Sequence, residues 1–200
     1  MKIQKIQELE IAEIKIIRFE KFSDERGYLA EVYNENDFEK HCDFLQGYKF
    51  LQANEVFSFK NSFRGLHFQF EPQMGKLVRL IYGKLLDFAL DLRPHSPTYK
   101  HIVGCEIQST CEFSEWIWIP PGFAHGAWLL ADSMLEYFCT STYNPRTERT
   151  ISIFAEDINW SKCNPTIISE FSKMDKSTLK IKERDLHAMS ISDWELSQSV

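Results

Sequence analysis

Short apolar stretches rich in β-branched and aromatic residues recur through the middle of this chain, and residues 11–19 alternate imperfectly between apolar and polar. A period of two with such residues predicts strands rather than helices. The pattern predicts strands over residues 11–19, 28–33, 51–59, 63–70, 76–82, 84–92, 101–108, 115–119, 127–130 and 134–143. Turn-forming residues separate them: Ser23 to Gly27, Lys60-Asn61-Ser62, Glu71-Pro72, Gly83, Arg93 to Pro97, Pro120-Pro121-Gly122 and Asn144-Pro145. Many short strands punctuated in this way read as an all-β sandwich or barrel. One short helix is expected over 36–42, with Asn34 or Asn36 as its N-cap. The pattern weakens after Asn164, where 185–189 and 193–197 have helical character. No repeat or Gly/Ser/Pro linker divides the chain, so a single domain over 1–200 is expected, with its core at about 11–164 and a C-terminal segment at 165–200.

The same period says which side chains meet. Gln52 and Asn54 share a face, as do His67 and Gln69, and Tyr137 and Tyr143 are expected to share another. Amides and tyrosines on inward positions suit a polar barrel mouth better than a dry core. Arg64 and His67 fall on opposite faces of a regular strand, which a bulge at Gly65 would correct.

Composition narrows the function more than the fold. The formal net charge is −6, from 23 basic and 29 acidic residues, which argues against general nucleic-acid binding. Five cysteines without a CxxC pair indicate neither a disulfide framework nor a zinc site, and favour reduced thiols in a cytoplasmic protein. The N-terminus has no apolar signal core, and no apolar run approaches the ~20 residues that cross a bilayer, so no membrane association is expected.

Two segments stand out chemically, Phe63-Arg64-Gly65-Leu66-His67-Phe68-Gln69 and Pro120-Pro121-Gly122-Phe123-Ala124-His125-Gly126. His67 alone reads most simply as a core imidazole bonded to a backbone carbonyl. Arg64 and Gln69 in the same strand give it a reason to be a general base near neutral pH. A barrel-type metal site wants several imidazoles and a carboxylate, whereas Gln69 is a poor ligand and His125 the only evident second imidazole, so no metal is expected. Arg64, Lys76 and Arg26 suit a diphosphate or an oxyanion, although most such side chains are solvated surface charge. Lys76 at a strand mouth can stabilise an enolate. Tyr137 can act as an acid, and Asp175 can orient His67, though each alone reads as structural. Asp87 and Asp91 read as structural.

Together these residues resemble the dTDP-4-dehydrorhamnose 3,5-epimerase family. The resemblance runs from about Phe22 to Asp175. It rests on Asp24-Glu25-Arg26-Gly27, Gln52-Ala53-Asn54, the two histidine segments, Lys76-Leu77-Val78-Arg79, Asp91-Leu92-Arg93, Ser96-Pro97-Thr98 and Tyr143-Asn144-Pro145 followed by Glu148. It implies an all-β, cupin-type jelly roll with a few short helices, and a homodimer with sites near the subunit interface. It also implies catalysis without metal or cofactor. By the resemblance His67 is the base, Asp175 its carboxylate partner, Tyr137 the acid across the ring, and Lys76 the cation at the keto oxygen. Arg26, Glu31, Gln52, Asn54, Arg64, His125 and Tyr143 become substrate contacts. Leu29, Glu55 and Met174 depart from the family pattern around the nucleotide and the sugar edge. The implied partner is a nucleotide-diphospho-4-keto sugar, dTDP- or GDP-linked, a deoxyhexose or a heptose, inverted at C3 and C5. Inversion at C3 only, a non-catalytic sugar-binding cupin, and a metal-dependent cupin oxygenase are the alternatives.

Overall fold

The computed structural model describes residues 2–198. In chain order the strands are β1 (Ile3–Glu8), β2 (Lys15–Glu20), β3 (Phe22–Asp24), β4 (Gly27–Leu29), β5 (Gln52–Ser58), β6 (Phe63–Gln69), β7 (Lys76–Tyr82), β8 (Leu85–Asp91), β9 (Ile102–Ile107), β10 (Phe113–Ile119), β11 (Phe123–Leu129), β12 (Ser133–Cys139) and β13 (Glu148–Thr150). The helices are α1 (Glu35–His41), α2 (Pro165–Phe171), α3 (Glu183–Leu186) and α4 (Ile191–Gln198). One sheet runs β1-β2-β10-β7-β12-β5 and the other β13-β6-β11-β8-β9, while β3 and β4 form a separate hairpin. All pairings within these sheets are antiparallel.

The two sheets form a sandwich because each strand has an apolar inner face. Val78, Leu80, Ile117, Ile119 and Leu135 from the six-stranded sheet share a core with Leu85, Ala89, Val103, Phe123, Ala127 and Leu129 from the five-stranded sheet. The outer faces are covered as well. Ile151, Ile153, Ile167, Ile191 and Trp194 pack on Leu66, Phe68, Leu86, Phe88 and Leu90. Phe38, Cys42 and Leu45 pack on Ile17, Leu77, Trp116 and Trp118. A strand buried on both faces needs no polar alternation, and β8 is buried at every position. Each large apolar side chain so buried contributes about 1.5–3 kcal/mol.

The differences from the sequence-based expectation are local. Asn34 caps α1 by accepting from the Asp37 N–H, as expected. Residues 3–8 form an edge strand, and α2 starts at Pro165 behind the Asn164 cap. The strand expected over 28–33 stops at Leu29, and β12 stops at Cys139. Tyr143 therefore lies on the following loop and does not share a strand face with Tyr137. His125, which falls between the expected turn at 120–122 and the expected strand at 127–130, sits within β11.

One irregularity aims the site. Along β6 and β11, His67 faces His125 but Arg64 faces Ala127, so β6 carries one extra residue between them. Gly65 takes that bulge at φ +122°, and a Cβ there would lie 2.5 Å from Gly126 Cα. Only glycine fits this conformation and this approach.

Candidate active site

His67 and His125 are direct partners across β6 and β11, and each binds a carboxylate. His67 Nε2 lies 2.9 Å from Asp185 Oδ1, and the Asp185 side chain is only 3% exposed. With an Nε2–H donated to that oxygen, Nδ1 is the nitrogen left to take a proton. Burial pushes the Asp185 carboxyl up, but the hydrogen bond and charge of His67, the Arg184 charge and the Gly65 N–H outweigh it and hold the group below its ordinary range. His125 Nε2 lies 3.0 and 2.9 Å from the two oxygens of Asp87, whose side chain is fully buried.

The facing sheet supplies a cation and a phenol. In register across β7, β12 and β5, Lys76 lies beside Cys139 and Cys139 beside Gln52; the next inward-facing row is Val78, Tyr137 and Asn54. Lys76 Nζ reaches across the sandwich to donate to the His67 carbonyl at 3.3 Å, which puts both sheets' polar residues at one end. Burial lowers the Lys76 pKa, while the charges of Cys139, Glu148 and Asp87 oppose that shift. Burial raises the Tyr137 pKa, helped by Cys139 and Glu148 and opposed by Arg64, so the phenol keeps its proton near neutral pH. Gln52 donates to Asn54 Oδ1 at 3.0 Å, and Asn54 donates to the Cys139 thiol at 3.7 Å.

The structure separates some residues that sequence reasoning grouped. Asp175 is not the carboxylate on His67. It is exposed on a turn, where it accepts from the Ser177 N–H at 2.9 Å and the Ser177 hydroxyl at 2.7 Å, and these bonds keep its pKa low. Asp185, one turn into α3, takes the position beside His67. Its sequence signal was slight, since it stands in the acidic and basic run Lys182 to Asp185 that reads as a solvated helix end. Asp87, read as structural, holds His125 in the same site. Arg26 is exposed in the β3–β4 hairpin and bonded to Asp24. That hairpin leaves β2 beyond Glu20, which pairs with Phe113, whereas Lys76 pairs with Ile119 at the far end of β10. Arg26 therefore lies at the opposite end of the sheet from Lys76, and Glu31 follows on an exposed segment.

Arg64 donates to Ser58 Oγ at 2.8 Å, and Tyr143 donates its hydroxyl to Glu148 at 3.1 Å. A cavity of about 290 Å³ opens beside His67, with Arg64, Lys180, Lys182 and Arg184 around it. A larger one, about 660 Å³, lies outside the six-stranded sheet under α1, away from these groups. Among the described residues no cluster of three or more His, Cys, Asp or Glu has the arrangement of a metal site, and no helix is long and apolar enough to cross a membrane.

A sandwich that sets a carboxylate-bound imidazole on one sheet against a lysine and a half-buried phenol on the other defines a proton-transfer enzyme rather than an empty scaffold. The family model for dTDP-4-dehydrorhamnose 3,5-epimerase matches residues 8–189, and the chain belongs to that family of isomerases. It is 41% identical over 169 residues to the dTDP-4-dehydrorhamnose 3,5-epimerase of Sinorhizobium fredii, covering 82% of this chain and 84% of the relative. The dTDP-6-deoxy-D-glucose-3,5-epimerase of Legionella pneumophila, solved with dTDP-4-keto-L-rhamnose, superposes with a TM-score of 0.80 at 28% identity, covering 94% of this chain and 93% of that one. The dTDP-4-dehydrorhamnose 3,5-epimerase of Sulfolobus tokodaii gives 0.74 at 34% identity, covering 94% and 95%. The fold is thus the cupin-type jelly roll that the resemblance implied.

Proposed function

We propose that this protein inverts C3 and C5 of a dTDP-linked 4-keto-6-deoxyhexose by removing and returning protons. The observation that carries this is the opposition of His67 and Tyr137 on facing sheets, with Lys76 reaching between them. Family membership and the sugar nucleotide in the Legionella relative support the substrate class. A 4-keto group acidifies the hydrogens on both neighbouring carbons. His67 Nδ1 takes one, and Asp185 steadies the imidazolium that forms. The electrons move to O4 as an enolate, which the Lys76 ammonium stabilises. Tyr137 returns a proton on the other face, so the centre inverts. The residues named need no metal for this sequence of proton transfers.

In this reading Arg64 meets the diphosphate, and Gln52, Asn54 and Tyr143 meet the rest of the nucleotide sugar. Arg26 acts on the pocket of a second copy, because its own pocket is at the other end of the sheet, Glu31 acts with it, and the working unit is a homodimer. Unpaired cysteines agree with a cytoplasmic enzyme.

The test is turnover in D₂O with dTDP-4-keto-6-deoxyglucose, read by mass spectrometry. Two deuterons in the product, and none with His67→Asn in folded protein, are expected. A wild-type protein that incorporates no deuterium at either carbon refutes the reading.

A further inference from the structure

Gln69 is nearly fully buried and takes no part in the proton transfers. Its amide oxygen accepts the Asn144 N–H at 2.7 Å. Its amide nitrogen donates to the Thr142 carbonyl at 3.2 Å, the Ser141 hydroxyl at 3.2 Å and the Pro72 carbonyl at 3.0 Å. One side chain therefore binds the loop residues on both sides of Tyr143. The Tyr143 N–H itself donates to Gln52 Oε1 at 2.8 Å. Gln52 stands on the six-stranded sheet and Gln69 on the five-stranded sheet, so the loop that crosses the mouth between the sheets is gripped from both. The Tyr143 ring is left about half exposed, with only its hydroxyl tied down, on Glu148.

The geometry points to Gln69 as a positioning residue that presents Tyr143 to the nucleotide sugar, with Gln52 as its counterpart on the opposite sheet. This rests on the substrate-contact role of Tyr143 given above. The residue type follows from the task. The loop offers an N–H on one side of Tyr143 and a carbonyl on the other, and a carboxamide accepts with its oxygen while donating from its NH₂. Glutamate would satisfy the Asn144 N–H but set a charge against the carbonyls of Pro72 and Thr142. Leucine would leave all of them unpaired. Ordering this loop in advance lowers what substrate binding must spend in conformational freedom, so the effect falls on binding more than on chemistry.

The test is a double-mutant cycle of Gln69→Leu with Tyr143→Ala, reading KM and kcat for dTDP-4-keto-6-deoxyglucose in protein shown folded by circular dichroism. Gln69→Leu is expected to raise KM about tenfold, equivalent to ~1.4 kcal/mol, with kcat within about threefold. Gln69→Glu should fall on the same side. In the Tyr143→Ala background the Gln69 change should add less than about twofold, because its effect runs through a ring already removed. Additive losses would mean that Gln69 merely supports the fold and would overturn the inference. A readout without substrate separates this from the proposed function: amide hydrogen exchange at Tyr143 and Asn144 should quicken in Gln69→Leu. Unchanged exchange overturns the positioning role even if the enzyme turns over, whereas quickened exchange in an enzyme inactive on every dTDP-4-keto sugar refutes the substrate reading alone.

Discussion

Replacing Asp185 by asparagine should cripple turnover, whereas the same change at Asp175 should leave it intact. When His67 takes a proton it becomes a cation, and the Asp185 carboxylate is 2.9 Å from its Nε2. Two unit charges at that 2.9 Å separation attract by about 6 kcal/mol at an effective dielectric constant near 20. The His67 side chain is 21% exposed, so solvent screens part of this, and we take about half, ~3 kcal/mol, as the share that a neutral carboxamide forfeits. At ~1.4 kcal/mol per tenfold, kcat should fall about a hundredfold. A second loss adds to this, because an asparagine can turn its NH₂ toward Nε2 and select the wrong tautomer for a base at Nδ1. Asp175→Asn removes only turn contacts with Ser177 and Thr178 and should change kcat by less than about twofold. The assay is the rate of deuterium uptake at C3 and C5, with circular dichroism to confirm both folds. An Asp185→Asn enzyme within about threefold of wild type, or a hundredfold loss in Asp175→Asn, refutes the assignment of the carboxylate.

Two further outcomes follow from the ionisable groups. Lys76 must stay protonated to hold an enolate, and its pKa lies below the ordinary 10.5 because burial outweighs the charges of Cys139, Glu148 and Asp87. The ammonium is lost as pH rises through that lowered value, so the alkaline limb of the kcat/KM profile should fall below 10.5, and Glu148→Gln should move it lower still; a limb unmoved by that variant counts against Lys76 as its source. Asp91 is buried, and although burial pushes its carboxyl up, bonds from Arg93, Ser96 and Thr98 bring it below 3.8. Its stabilisation is present above the unfolded value near 3.8 and lost as pH falls through the folded one, so Asp91→Asn should cost about 3 kcal/mol at pH 7 and progressively less below pH 4 in urea unfolding; an equal cost at both pH values refutes the linkage.

The sandwich was legible because its strands obey a rule local in sequence. Short runs of β-branched and aromatic residues mark β7 and β10, and turn residues mark their ends. What escaped was decided by tertiary partners. β1 is an edge strand with little apolar pattern, and it exists because β2 offers it a ladder. α2 carries a cap and an N-terminal proline, but its reason for folding is the place of Ile167 against the outer face of the five-stranded sheet.

The site divides along the same line. His67, Lys76 and Tyr137 lie within strands, where period and register fix which way each side chain points once the Gly65 bulge is allowed for. Their grouping could be argued from the sequence because only the pairing of strands had to be supplied. The carboxylate partner of His67 comes instead from the C-terminal segment, which has no such rule. There Asp175 and Asp185 are both acids in polar surroundings, and spacing alone cannot rank them. What ranks them is the course of the chain between. Lys180 pairs with Asn61 and with Phe63 at the start of β6, which fixes the segment along the strand that carries His67. From that anchor α3 turns Asp185 inward, while Asp175 remains behind on the surface. The backbone pairing of Lys180 therefore decides which acid reaches the imidazole, and a change that unpairs it should disturb the base while leaving His67 and Asp185 themselves unaltered.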